Sequence, residues 1–279
     1  MASHLPKSLL GSPTAAVGTL LVVLVLAVAL FAPWVAPYGP NAIDVSARLE
    51  GPSLAHWFGT DNLGRDFLSR LIYGTRVAMG VSLGVILISL AVGVVLGVTA
   101  AFSPRAVDHA FLAVFDIISA YPPLILALAM VAVLGPGLGN VVLLISVVKV
   151  PLFARVARAQ TLAAKNSLYL EAERVLGAPF HRVLLRHVLP NIIGPIFVLA
   201  CMNIPTVITV EAGLSFLGIG IRPPFASWGS LLNDGFAFLD QSAWLAIFSG
   251  LALILATLGF SLFGEALRDA LDPRLQQDR

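Results

Sequence analysis

The chain has 279 residues, 58% of them hydrophobic and only 11% charged, with a mean hydropathy of +0.93. A soluble domain carries about 25% charged residues, so this composition excludes a water-soluble fold and predicts an all-α protein that crosses a membrane several times. The net charge of +2 comes from basic residues spread over loops rather than gathered on one face, so it gives no sign of nucleic acid, and no nucleic-acid partner is expected. A lone cysteine, Cys201, excludes an intrachain disulfide.

Six stretches are long and apolar enough to span, near residues 14–36, 77–102, 109–134, 140–157, 191–213 and 243–264. Lys7 precedes the first, but that run is too long for a signal peptide and lacks a small-x-small cleavage site, so it reads as an uncleaved anchor. With the N-terminus inside, eleven of the seventeen Lys and Arg residues fall on inner loops and tails. Arg48, Arg65, Arg70, Arg76 and Arg222 fall on outer loops, and Lys149 lies within a span. This bias places both termini in the cytoplasm. The first outer loop contains GTDNLGRDFLSRLIYGTR, residues 59–76. After its Gly/Asp/Asn-rich turn, Phe67, Leu68, Leu71 and Ile72 form an apolar stripe with Asp66 and Arg70 opposite. That pattern predicts an interfacial helix on the outer leaflet just before the second span. The chain then divides into residues 1–76, an anchor with its outer loop, and residues 77–279, a five-span core.

Within the second span, Gly80/Gly84 and Gly93/Gly97 make two G-x-x-x-G notches for close helix packing. Asp116 lies in the third span, five residues before Tyr121-Pro122-Pro123, and that Pro pair must break or kink the helix. Lys149 sits near the middle of the fourth span and Glu211 near the outer end of the fifth. A charge facing lipid costs about 2.5–3.5 kcal/mol even on the lenient scale. Two readings are open: Asp116 and Lys149 form a structural pair between helices, or these groups line a pathway.

The loop at 158–190 holds EAERVLGAPFHRVLLRHVLP, residues 171–190. Gly177 offers a positive-φ stop after one helix, and Pro179 suits the first turn of a second, which Pro190 is expected to end. Phe180, Val183, Leu184 and Val188 fall on one face of that second helix, with Arg182 and Arg186 on the other. Ten helical residues make about 15 Å, too short to cross a bilayer and long enough to dock.

Apparent catalytic motifs dissolve. Gly80-Val81-Ser82-Leu83-Gly84 fits G-x-S-x-G, but inside an apolar helix instead of a strand–turn–helix. The glycine-rich run from Gly59 ends in Arg65-Asp66, not Lys-Ser/Thr, so it is no P-loop. The five histidines have no metal-site spacing. The chain is expected to be no enzyme and to bind no metal or cofactor.

The 171–190 segment resembles the signature of ABC-importer permeases: Glu-Ala-Ala, three residues, Gly, nine residues, Ile-x-Leu-Pro. Here it stands as Glu171, Ala172, Glu173, Gly177, His187, Leu189 and Pro190, with Glu173 and His187 departing from the pattern. Residues 59–76, EAGLSFLGIGIRPPFASWGSLLNDG (211–235) and GEALRDALDPRL (264–275) resemble the second, "C"-type permease subunit of the dipeptide, oligopeptide and nickel branch. The resemblance implies a six-span type I importer permease in a bacterial inner membrane. Its implied partners are a homologous second permease, two cytoplasmic ATPases that hold ATP and Mg, and an extracytoplasmic binding protein. Di- or oligopeptides are the implied cargo, with nickel or its chelate, glutathione and opines as alternatives. A self-sufficient secondary transporter or a scaffold is the reading from outside the family. The 171–190 loop is implied to couple to the ATPase: Phe180, Val183 and Leu184 in its groove, Arg182 and Arg186 at the rim, Glu171 in a polar contact. The segments at 59–76 and 211–235 either pack against the partner permease or touch substrate or binding protein.

The charge bias generates a topology test. Reporter fusions after residues 105, 165 and 275 are expected to read as cytoplasmic, and fusions after 45, 137 and 228 as external. An external signal at 165 would end the ATPase-coupling reading.

Overall fold

The computed structural model describes residues 12–168, 170, 173 and 176–271. Among them run eight helices of ten or more residues: α1 (Pro13–Val35), α2 (Phe67–Phe102), α3 (Arg105–Ser119), α4 (Pro123–Leu134), α5 (Leu138–Lys165), α6 (Phe180–Phe216), α7 (Trp228–Ala237) and α8 (Ala243–Leu271). The only β pairing among the described residues is an isolated bridge between Thr60 and Asp66. Helices α1, α2, α5, α6 and α8 are each long and apolar enough to cross a bilayer.

The expected third span, 109–134, is broken. Helices α3 and α4 pass the length and hydropathy test only as a pair, bent by 88°. Pro122 and Pro123 supply no N–H, and Tyr121, preceding a proline, is pushed out of helical geometry. The Ala120 N–H closes α3 on the Asp116 and Ile117 carbonyls, and Pro123 opens α4 in its first turn, where a missing donor is harmless. Counted as one span, the pair brings the total to six.

The stretch expected as an interfacial helix is the first part of α2, which runs unbroken for 36 residues, about 54 Å. Its stripe does not face lipid: Phe67, Leu71 and Ile72 are buried, and so are Asp66 and Arg70 on the side read as polar. The Asp66 carboxylate caps the helix, accepting the Ser69 N–H at 2.8 Å and the Ser69 hydroxyl at 2.6 Å. Trp228 of α7 packs where Gly74 has no side chain, and its Nε1 donates to the Leu71 carbonyl at 3.1 Å. Polar groups can sit this close to the core because a second carboxylate organises the loop. Asp61, fully buried, accepts the Leu63 and Arg65 N–H groups at 2.8 and 3.0 Å and faces the Arg65 and Arg70 guanidinium groups at 2.7 and 3.4 Å.

Glycine sets how near the spans approach. A Cβ on Gly93 would stand 2.6 Å from Phe153 Cβ, and one on Gly97 would strike the Ala154 carbonyl and lie 2.9 Å from Ala157 Cβ. This notch seats α5 on α2. The Gly80/Gly84 pair has the same spacing and no such role: Gly84 meets Val142 at an ordinary 3.4 Å, and Gly80 faces open space. Gly18 of α1 and Gly259 of α8 pair the two ends of the chain, with Cβ positions 2.7 Å from Leu262 and from Leu21.

Gly97→Ala is therefore expected to destabilise the protein by about 1–3 kcal/mol, the cost of overpacking, with Gly80→Ala within about 0.5 kcal/mol of wild type. Unfolding in detergent by SDS titration measures both; equal effects would remove the notch.

Candidate functional site

The candidate site lies beyond the end of α5, where a further helical stretch that includes Leu168, Leu170 and Glu173 leads to Gly177. Gly177 adopts φ +77°, and the Ala178 N–H reaches back to the Glu173 carbonyl at 3.0 Å. That bond is the six-to-one closure of a Schellman motif with glycine at its left-handed position, so the preceding helix stops there for a local backbone reason. Glu171 and Ala172 lie outside the described residues.

Pro190 does not end the second helix. Helix α6 passes through it as one 37-residue helix, Phe180–Phe216. It does so because Val183–Val188 widens into π-helical turns, with the Leu189 N–H bonded to the Leu184 carbonyl five residues back. A proline ring presses on the carbonyl four residues earlier and offers no donor; the wider turn relieves both. The expected ten-residue lug is thus the first part of a long rigid rod that includes Leu189.

The expected docking face is also turned. Val183 is 3% exposed and Val188 fully buried, inside the chain's own core, with Leu184 packed against them. Arg182 and Arg186 are exposed, as is Phe180. The apolar side chains left outside at this end are Leu168, 84% exposed, Leu176, 85% exposed, Phe180 and Leu185. They make an apolar collar along the chain, on either side of Gly177. The helical period showed that one face was apolar without showing whether it met this chain or another. Phe180 is steadied by an edge contact with Phe102, 5.0 Å between centroids; Lys165 lies 5.2 Å over the Phe102 ring and donates to the Ala101 carbonyl at 3.2 Å. Glu173 and His187, the two departures from the family signature, face each other at 3.4 Å across the turn.

The buried charges find other partners than expected. Asp116 is 74% exposed on its side chain and pairs with Arg155 at 2.9 Å, not with Lys149. Asp108, also on α3, takes Arg158 in a two-pronged contact at 2.5 Å. The break at Pro122-Pro123 tilts α3 so that it meets the far end of α5, where both arginines stand. Two acids on α3 and two arginines three apart on α5 were the available signal. Lys149 instead donates to Asn203 Oδ1 on α6 at 3.1 Å. Glu211 is 1% exposed, accepts the Ser215 hydroxyl at 2.7 Å, and is not among the residues that line the crevice between α4, α5 and α6. The structure therefore brings none of the three together. Only Lys149 borders a crevice, lined by α4, α5 and α6.

The family described as "binding-protein-dependent transport system inner membrane component" matches residues 93–277, and "N-terminal TM domain of oligopeptide transport permease C" matches residues 7–52. The chain is 36% identical to the dipeptide transport system permease protein DppC of Alkalihalophilus pseudofirmus over 97% of this chain and 89% of that one. It is 39% identical to the glutathione transport system permease protein GsiD of Pectobacterium atrosepticum over 92% and 86%. Against the probable D,D-dipeptide transport system permease protein DdpC of Escherichia coli it is 37% identical over 95% and 89%. In fold it is similar to a chain of the MetNI methionine ABC transporter in an inward-facing conformation, with a TM-score of 0.60 and 16% identity over 73% of this chain and 97% of that one.

The two α3–α5 ion pairs differ in burial, and their worth should differ with it. Asp108→Ala, which strands a mostly buried two-pronged arginine, is expected to cost about 1.5–3 kcal/mol. Asp116→Ala, at an exposed pair, is expected to cost about 1 kcal/mol or less. SDS-titration unfolding of the two variants compares them, and the reverse order would sink the assignment.

Proposed function

The chain belongs to the family of binding-protein-dependent transport system inner membrane components, and from that membership we propose that it forms half of the pore of a peptide importer. The chain is a multi-pass inner-membrane permease subunit, not an enzyme. A homologous second permease completes the pore, two cytoplasmic ATPases hold ATP and Mg, and an extracytoplasmic binding protein delivers di- or oligopeptides. Glutathione, itself a peptide, is the second cargo that the named relatives favour.

The observation that carries the coupling role is the exposure of four apolar side chains, Leu168, Leu176, Phe180 and Leu185, on either side of a left-handed Gly177 that precedes a 37-residue helix. In this proposal the collar seats in a groove of the ATPase, with Arg182 and Arg186 at the rim and Glu171 supplying a polar contact. Because α6 carries no break between the collar and the span, movement of the seat is transmitted as rotation of a rod. Closure of the ATPase dimer then swings α6 against α5 and drives alternating access as a rigid-body shift. Both termini, in this reading, are cytoplasmic.

Gly177 is where the proposal is most exposed to test. A Cβ there would meet no atom within 4 Å, so a substitution acts only through the backbone. A left-handed conformation costs a residue with a Cβ about 1–2 kcal/mol, more for a β-branched one. Gly177→Val is expected to stay in the membrane and to assemble, yet to lose substrate-stimulated ATP hydrolysis in the reconstituted complex, with Arg186→Ala much milder. Full stimulation and transport in an assembled Gly177→Val complex would refute the coupling role.

A further inference from the structure

Two helices with inner prolines, α5 and α6, and the proline-led start of α4 meet at the crevice beside Lys149. Its wall is apolar, with Pro123, Ala127 and Val210 among the side chains, and Lys149 and Thr206 are its polar members. The cavity volume is about 20 Å³, room for about one water-sized group such as a single carboxylate oxygen, and far below the range of pockets that enclose a whole ligand. Pro123 opens α4 at this point. Pro151 follows Lys149 by two residues on α5, and Pro205 follows Asn203 by two on α6. Each of these inner prolines deprives a carbonyl one turn earlier, Val147 and Cys201, of its helical donor. Irregular backbone of this kind within a membrane belongs beside a cavity.

Charge balance singles out Lys149. On the same helix, Arg155 and Arg158 each face a carboxylate, at 2.9 and 2.5 Å. Lys149 holds only the neutral amide oxygen of Asn203, and no carboxylate among the described residues comes within ion-pair distance of it. An ammonium group in an apolar wall is costly unless an anion or water meets it.

We infer that the Lys149 ammonium, steadied by Asn203, is the receptor for the carboxylate of the peptide in transit. The inference rests on the peptide-importer reading above. The carboxylate enters the crevice mouth, takes the ammonium in a charge-assisted hydrogen bond, and Asn203 holds the side chain aimed at the opening between passages. One carboxylate is a feature of every peptide with a free C-terminus, so this contact selects for the class and leaves the side chains to the binding protein.

The test uses the importer reconstituted in proteoliposomes from this chain, the second permease, the ATPases and the binding protein, with dialanine as probe. Lys149→Met is expected to lower the maximal uptake rate at least about tenfold, Lys149→Arg to recover it to within about threefold, and Asn203→Leu to lower it by less than about threefold. Uptake by Lys149→Met within about twofold of an active wild type would overturn the inference and leave the importer reading standing. Equal losses in Lys149→Met and Asn203→Leu, unrelieved by Lys149→Arg, would make the bond a helix tie and overturn it too. Loss of the second permease from the Lys149→Met complex would place the carboxylate on that subunit, which likewise overturns the inference. A wild-type importer that takes up no dialanine removes the peptide reading and this inference with it.

Discussion

Lipid offers a backbone no hydrogen bonds, so every carbonyl that loses its helical donor must be met from within the protein. This chain creates such carbonyls repeatedly, at Pro33 in α1, Pro151 in α5 and Pro195 and Pro205 in α6, and at the Pro122-Pro123 break. Three outcomes are seen. At Pro122-Pro123 the helix gives way and turns through 88°. At Pro190 the helix widens into π turns and continues. Around Pro151 and Pro205 the helices run on beside a crevice. The same missing N–H thus yields a corner, a rod and a cavity, according to what packs against it. Two prolines in succession remove two neighbouring donors, which no widening can absorb.

Much of this was legible in the residues and some was not, for physical reasons. Span positions follow from apolar length, and Gly177 from the rarity of a conformation that only glycine enters freely. The Gly93/Gly97 notch was legible as a spacing, but Gly80/Gly84 has the same spacing and meets nothing closer than ordinary contact, since spacing selects a face without naming its neighbour. The same limit misdirected the apolar face of Val183 and Val188, which fills this chain's core instead of a partner's groove. Pro190 misled because stop and π turn share one residue, and the choice depends on whether buried contacts on both sides reward continuity.

Asp116 shows how a small geometric event reassigns chemistry. Read as part of a straight span, it lies near the depth of Lys149 and makes an attractive partner. Once the helix turns a corner, it meets Arg155 near the helix end, and its neighbour Asp108 meets Arg158. These pairs anchor a short amphipathic helix to α5. Lys149 is thereby left facing the crevice with a neutral amide as its companion. The balance of charges within one helix therefore depends on a pair of prolines in another.

The clasp between Gly18 and Gly259 has a consequence for how the protein is made. Helix α1 packs closely against α8, about 240 residues later in the chain, so at 5–20 residues per second the partner arrives roughly 12–50 s after it. In that interval α1 must sit in the membrane with the glycine side of its surface facing lipid or a chaperone. The fold closes only when its final span arrives, which makes the C-terminal helix the latch of biogenesis. A chain truncated before Gly259 would keep its α2–α5 notch and leave α1 held chiefly by α2.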